Sequence, residues 1–258
     1  MSSEYEKFIR ECEEEVTAQG NDEGLLNLTK AWYTSANLAK YSYHFEWLGR
    51  PVIQHPQDLV ALQEIIWRVK PDLIIETGIA HGGSLIFYAS MLGFLDWCSA
   101  SQSSEDTAQE EPSRLVLGID IDIRSHNQLA IEQHPLSRYI KMIQGSSIES
   151  DIVKKVHKVA SDYSSILVCL DSNHTHEHVL SELEAYAPLV TKGNYCIVFD
   201  TVIDDLPAEA IGERAWGPKN NPKTAVDEFL ATNAGFEIDE HIQNKLLITA
   251  APQGYLRR

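Results

Sequence analysis

Leu73-Ile-Ile-Glu76-Thr-Gly78-Ile-Ala-His-Gly82-Gly83-Ser84 decides the fold. The three apolar residues after Pro71 read as a short buried strand, closed by an acid. The glycines let the backbone turn sharply and come close to a ligand, and the helix expected from Ser84 to about Leu95 opens on unpaired N–H groups. Strand, glycine-bearing turn and helix in that order form the opening unit of an α/β repeat.

The alternation continues outward from this unit. Upstream, Pro56 opens a helix with Leu59, Leu62, Ile66 and Val69 at helical spacing. Downstream, strands are expected at 115–119, 139–143, 166–170 and 195–199. Helices are expected around 126–133, 149–160, 177–187 and 222–232. Two last strands, near 235–239 and 245–250, are joined tightly enough to be antiparallel. Near-continuous apolar strands separated by amphipathic helices imply a parallel sheet covered on both faces. The expected fold is α/β, a doubly wound, mostly parallel sheet over residues 56–258 with a C-terminal antiparallel hairpin. Residues 1–55 precede it as an extension, expected to act as a lid or subunit contact. The Ser/Glu-rich stretch 96–113 reads as an exposed, flexible insertion. Ligands of such sheets bind beyond the carboxyl ends of the strands, so functional residues should follow strands directly.

Composition narrows the function. The 258 residues carry a net charge of −17, which argues against nucleic acid and anionic lipid as partners. Much of the acidity is local: residues 1–23 hold eight acids against Lys7 and Arg10, and residues 96–112 hold five acids and no base. Cys12, Cys98, Cys169 and Cys196 show no CxxC spacing and read as thiols of a reducing compartment. Neither a secretory signal nor an apolar run of membrane-spanning length is visible, so the chain is expected to be soluble and cytoplasmic.

Four motifs follow strands. In the first, Glu76-x-Gly78-x-x-x-Gly82-Gly83-Ser84 lacks the G-x-G pair of the dinucleotide fingerprint, which disfavours a nicotinamide cofactor. An acid at the strand end suits a cationic group, as in S-adenosylmethionine-dependent methyltransferases. In Gly118-Ile-Asp120-Ile-Asp122, Asp120 ends the apolar run and is the candidate for a ribose diol, with Asp122 the alternative of a solvated loop acid. Gly145-Ser146-Ser147 either contacts a base or simply precedes a helix. In Leu170-Asp171-Ser-Asn173-His174-Thr-His176-Glu-His178, an acid and an imidazole three residues apart could hold a divalent cation and take a proton from a hydroxyl. Asp200, at the end of the next strand, is the natural second carboxylate. His176 and His178 read as structural. The irregular segment Trp216 to Pro222, including Asn220, is a candidate wall for the acceptor. The aromatic stretch Tyr41 to Trp47, with Tyr43, Arg50 and His55, could close the opposite side, or serve core packing or a subunit contact.

Taken together, Tyr41-Ser-Tyr-His-Phe-Glu-Trp-Leu-Gly-Arg-Pro51, the glycine turn, Gly118-Ile-Asp-Ile-Asp122, Leu170-Asp-Ser-Asn-His-Thr-His176 and Trp216-Gly-Pro-Lys-Asn-Asn-Pro222 resemble the cephalosporin-hydroxylase-like family, also called rhamnosyl O-methyltransferases, over roughly residues 40–258. The resemblance implies a Rossmann-like methyltransferase fold, S-adenosylmethionine and Mg2+ as cofactors, and a sugar, glycolipid or glycosylated natural product as hydroxyl acceptor. It places Asp171 as a metal ligand and His174 as general base. One departure stands out. Relatives carry a Glu-Asp pair after the fifth strand, whereas this chain has Asp200-Thr201, so Asp204 or Asp205 would have to compensate, or the metal is weak or absent. A homo-oligomer is expected. The alternatives are a metal-dependent oxygenase using Asp171 and its neighbouring histidines, and a non-catalytic cofactor-binding partner of a biosynthetic complex.

Overall fold

The computed structural model describes residues 3–102 and 112–258. Two helices, α1 (Glu4–Gly20) and α2 (Glu23–Leu38), lead into a small hairpin of β1 (Phe45–Trp47) and β2 (Arg50–Val52). The main unit then runs α3 (Pro56–Val69), β3 (Leu73–Thr77), α4 (Gly83–Gln102), β4 (Leu115–Asp120), α5 (Ser125–Glu132), β5 (Ile140–Gln144), α6 (Ser150–Ala160), β6 (Ile166–Leu170), α7 (His176–Tyr186) and β7 (Tyr195–Val198). It closes with α8 (Ala208–Ile211), α9 (Pro222–Thr232), β8 (Glu237–Ile238), α10 (Glu240–Leu246) and β9 (Tyr255–Arg257).

The sheet order is β5-β4-β3-β6-β7-β9-β8. The first five strands are parallel, and β9 runs antiparallel to both β7 and β8. Alternate residues feed opposite layers, as a period of two requires. Ile74, Val116, Leu167 and Ile197 pack with α3 and α4, whereas Leu73, Ile75, Leu117, Val168 and Val198 pack with α6, α7 and α9. Both faces are therefore covered, as expected.

Two boundaries differ from the sequence reading. Residues 245–250 are not the last strand, because α10 runs to Leu246 and Leu247 (φ 58) breaks away from it. The chain there is fixed by a buried acid instead: Asp58 accepts from the Thr249 hydroxyl (2.5 Å), the Ala250 N–H (2.8 Å) and the Tyr255 hydroxyl (2.7 Å). The closing strand falls on β9. The second difference lies in the acidic insertion, whose first part, through Gln102, continues α4. Its stretch 103–111 lies outside the described residues.

In the N-terminal extension, α1 buries none of its own residues, while α2 buries Tyr33. The hairpin packs against the start of α4: a Cβ on Gly83 would meet the Pro51 carbonyl oxygen at 2.2 Å. Among the described residues, no helix is long and apolar enough to cross a membrane.

Candidate active site

The chain leaves β3 and β6, neighbours in the sheet, in opposite directions, which opens a crevice at their carboxyl ends. Gly78 and Asp171 meet there. Gly78 adopts φ +90, and a Cβ on it would lie 2.0 Å from the Asp171 carbonyl oxygen. Only glycine satisfies both the angle and the approach. Two recesses open from this point. A narrow cleft of about 130 Å³ is lined by Gly78, Asp120, Ser146, Ser147, Asn173 and His178, among others. A larger cavity of about 390 Å³ lies between the strand ends and the N-terminal segment. Ser172 lines both.

In the cleft, Asp120 rather than Asp122 lines the wall. Its carboxylate accepts from the N–H groups of Ile79 (2.8 Å), Ala80 (3.3 Å) and Asp122 (3.0 Å). These bonds lock the glycine turn, including Ala80 in its left-handed conformation (φ 47). Ionised carboxylates offer about four acceptor positions, so one remains for a ligand. Glu76 is placed differently from its expected role. It is 1% exposed and does not line the cleft. Its carboxylate accepts from Ser84 Oγ (2.8 Å) and Tyr88, fastening β3 to α4. Burial pushes its pKa up to about 8, against the pull of the two hydroxyls. Ser84 is thereby spent on Glu76, and Gly82 and Gly83 serve close packing against Ile131 and Pro51.

The larger cavity is lined by a cluster of two carboxylates and an imidazole. Ligand atoms of Asp171, His174 and Asp200 lie within 4.8 Å of one another. His174 Nε2 is 3.2 Å from Asp200 Oδ2, and its ring meets Trp216 edge-on at 4.8 Å. Asp200 reaches this position from a left-handed backbone (φ 58), a strained conformation of the kind found at functional sites. Burial raises the Asp171 pKa well above the carboxylate range; the charges of Asp200, Glu76 and Glu182 add to the effect. A divalent cation would relieve this crowding of like charges, and two carboxylates with an imidazole are a fitting donor set.

His55 and Tyr43 both line the cavity. His55 Nε2 lies 3.1 Å from the Tyr33 hydroxyl, and burial lowers its pKa, favouring the neutral ring. Arg50 and Asn220 do not reach the cavity. The Arg50 guanidinium donates to the His81 carbonyl and to Asn127 Oδ1 (3.0 Å), clamping the glycine turn. Asn220 caps backbone on both sides, accepting from His176 N (2.9 Å) and donating to the Ala215 carbonyl (2.8 Å). Neither acid proposed to replace the missing carboxylate does so: Asp204 accepts from Asn221 and Asp205 pairs with Lys30. Thr201 is turned inward, donating to the Pro252 carbonyl (2.7 Å). His176 is held by Thr224 and Glu228, so it is not available to an iron centre. Sequence reasoning missed Gln54, whose amide donates to Asp171 Oδ2 at 3.0 Å across 117 residues, a contact with no local signal.

The family model of rhamnosyl O-methyltransferase/CmcI matches residues 39–258. The chain belongs to the rhamnosyl O-methyltransferase/CmcI family. Among relatives of this family, the rhamnosyl O-methyltransferase of Mycobacterium tuberculosis (strain ATCC 25618 / H37Rv) is 28% identical over 206 residues, covering 78% of this chain and 73% of its own. That of Mycobacterium leprae (strain TN) is 27% identical over 215 residues, covering 82% of each. A solved structure of CmcI with Mg and SAM superposes with a TM-score of 0.55 at 17% identity, covering 84% of this chain and 77% of that one. This likeness bears out the α/β sheet with its C-terminal antiparallel hairpin.

Proposed function

We propose that this chain is an S-adenosylmethionine-dependent O-methyltransferase acting on a hydroxyl of a sugar, glycolipid or glycosylated natural product. The observation that carries the reading is the grouping of Asp171, His174 and Asp200 where the narrow cleft meets the larger cavity. Support comes from the family and from the names of the mycobacterial relatives. S-adenosylmethionine would supply the methyl group on a sulfonium, held in the cleft by Asp120, Ser146 and Ser147. Magnesium held by Asp171 and Asp200 would lower the pKa of an acceptor hydroxyl.

The residues of the chain do the rest. A carboxylate can only accept a hydrogen bond, so a neutral His174 facing Asp200 carries its proton on Nε2. Nδ1 is then the basic nitrogen that takes the hydroxyl proton as the oxygen bonds to the methyl carbon. Asp200 orients the ring and stabilises the imidazolium that results. Gln54 holds Asp171 in place, and Trp216 walls the imidazole. His55 and Tyr43 line the space for the acceptor. The oxygenase alternative would be left with His174 as its one imidazole beside Asp171, because His176 and His178 are engaged elsewhere.

The test is methyl transfer from labelled S-adenosylmethionine to a panel of 6-deoxyhexosides. His174→Ala should lower turnover by roughly 10²–10⁴-fold with cofactor affinity intact, and chelation should suppress the parent enzyme. Turnover unchanged in His174→Ala would remove the base assignment, and indifference to chelator would remove the metal.

A further inference from the structure

The charges that line the larger cavity come in two sets. Its acids, Asp171 and Asp200, are grouped with His174 at the strand ends. Its cations, Lys40 and Arg214, line it from outside the sheet, one in the turn after α2 and the other in the chain after α8. Among the described residues, neither cation has an ion-pair or hydrogen-bond partner for its side chain, whereas Lys30 on α2 is matched by Asp205. Glu209 and Glu213, the acids closest to Arg214 along the chain, do not line the cavity.

The fold brings the two cations to the same wall. The Asn37 amide donates to the Ala210 carbonyl at 3.4 Å, which ties the last turn of α2 to α8. Lys40 lies three residues beyond the first anchor and Arg214 four beyond the second. Lys40 holds a left-handed backbone (φ 54), a conformation unfavourable to a residue with a Cβ and of the kind that collects at functional sites. The Arg214 guanidinium lies over the Trp216 ring, 5.3 Å from its centre, and the His174 ring meets the same indole at 4.8 Å. Cation and imidazole therefore flank one indole, within the length of a single small acceptor. In a chain of net charge −17, unmatched cations on a cavity wall attract a ligand of opposite charge. A guanidinium and an ammonium together suit a carboxylate or phosphate, through charge-assisted hydrogen bonds. A neutral deoxysugar would give them no partner.

We propose that Lys40 and Arg214 make the cavity selective for an acidic acceptor, a sugar whose carboxylate or phosphate they hold while a hydroxyl of the same molecule faces His174. The inference rests on the methyltransferase reading and narrows its acceptor class.

The experiment is calorimetric titration of the full chain, saturated with S-adenosylhomocysteine, against matched methyl glycosides. These carry a hydroxyl, a carboxylate or a phosphate at C6, in the gluco, galacto and manno series. At low salt at least one acidic member should bind about tenfold or more tightly than its neutral counterpart, and added salt should erode the difference. A preference confined to the carboxylates or to the phosphates would support the proposal and identify the source of the charge. The double variant Lys40→Gln, Arg214→Gln should bring the preference within about threefold, with affinity for the neutral member and for S-adenosylhomocysteine unchanged. Lys192→Gln, which removes a cation outside the cavity, should keep it. Equal binding of acidic and neutral members, no binding of any glycoside, or a preference that survives in the double variant would overturn the proposal while sparing the methyltransferase reading. A parent that fails to bind S-adenosylhomocysteine would overturn both.

Discussion

Replacing Glu76 by glutamine should make the protein more tolerant of alkaline pH. Glu76 is buried beneath the glycine turn, and desolvation lifts its pKa from 4.5 to about 8. Because the folded value lies above the unfolded one, the native state holds this proton more tightly. The resulting stabilisation is complete below pH 4.5 and disappears as pH rises through 8. Each pH unit inside that window removes about 1.4 kcal/mol. Between pH 5 and 7 the parent should therefore lose about 2–3 kcal/mol through this one group. Glutamine keeps the shape and an acceptor for Ser84 and cannot ionise, so Glu76→Gln should lose none of it. Urea unfolding at pH 5, 6, 7 and 8, followed by circular dichroism, gives the two profiles. Their difference isolates Glu76 from Asp58, whose pKa is raised to about 6 and which titrates equally in both proteins. Parallel profiles would refute the reasoning, because they would mean that Glu76 is already charged in the folded state.

Two further substitutions address the scaffold of the site. Gly78→Ala should destabilise by on the order of 3 kcal/mol or more and displace Asp171, because the new methyl would collide with that residue's carbonyl and the backbone angle is unfavourable to alanine; thermal denaturation and methyl-transfer assays would both register it. Asp58→Asn leaves one oxygen to accept from the two hydroxyls and turns an amide donor on the Ala250 N–H, which also donates, and should cost about 2–3 kcal/mol at pH 7, read from the urea midpoint; a midpoint within error of the parent would show that these bonds do not anchor residues 249–255.

Strands were legible in the sequence where burial on both faces makes the apolar run itself the signal, as at Leu73–Thr77 and Ile166–Leu170. The same criterion misplaced the final strand. Leu246-Leu247-Ile248 is an apolar run too, but it ends a helix and stays half-buried at the edge of the core, whereas β9 is a three-residue strand ending on an exposed arginine. Asp171, His174 and Asp200 were readable because strand ends converge in any doubly wound sheet. Arg50 and Asn220 were not, because tertiary structure alone decides which carbonyl or amide a long polar side chain meets. Glu76 shows the limit of motif reading: its position at a strand end was right, and its burial, which decides what it can touch, had no signature in the neighbouring residues.

The contact between Gly83 and Pro51, together with the Arg50 clamp on His81 and Asn127, has an evolutionary consequence. The segment that borders the larger cavity is keyed, through the same few residues, into the loop that shapes the neighbouring cleft. The first fifty-odd residues cannot be exchanged within this lineage as a free cassette, because a foreign hairpin must also fit the turn that follows β3. Recombination between family members would be tolerated when its crossover lies downstream of residue 83 and penalised when it falls between the hairpin and the turn.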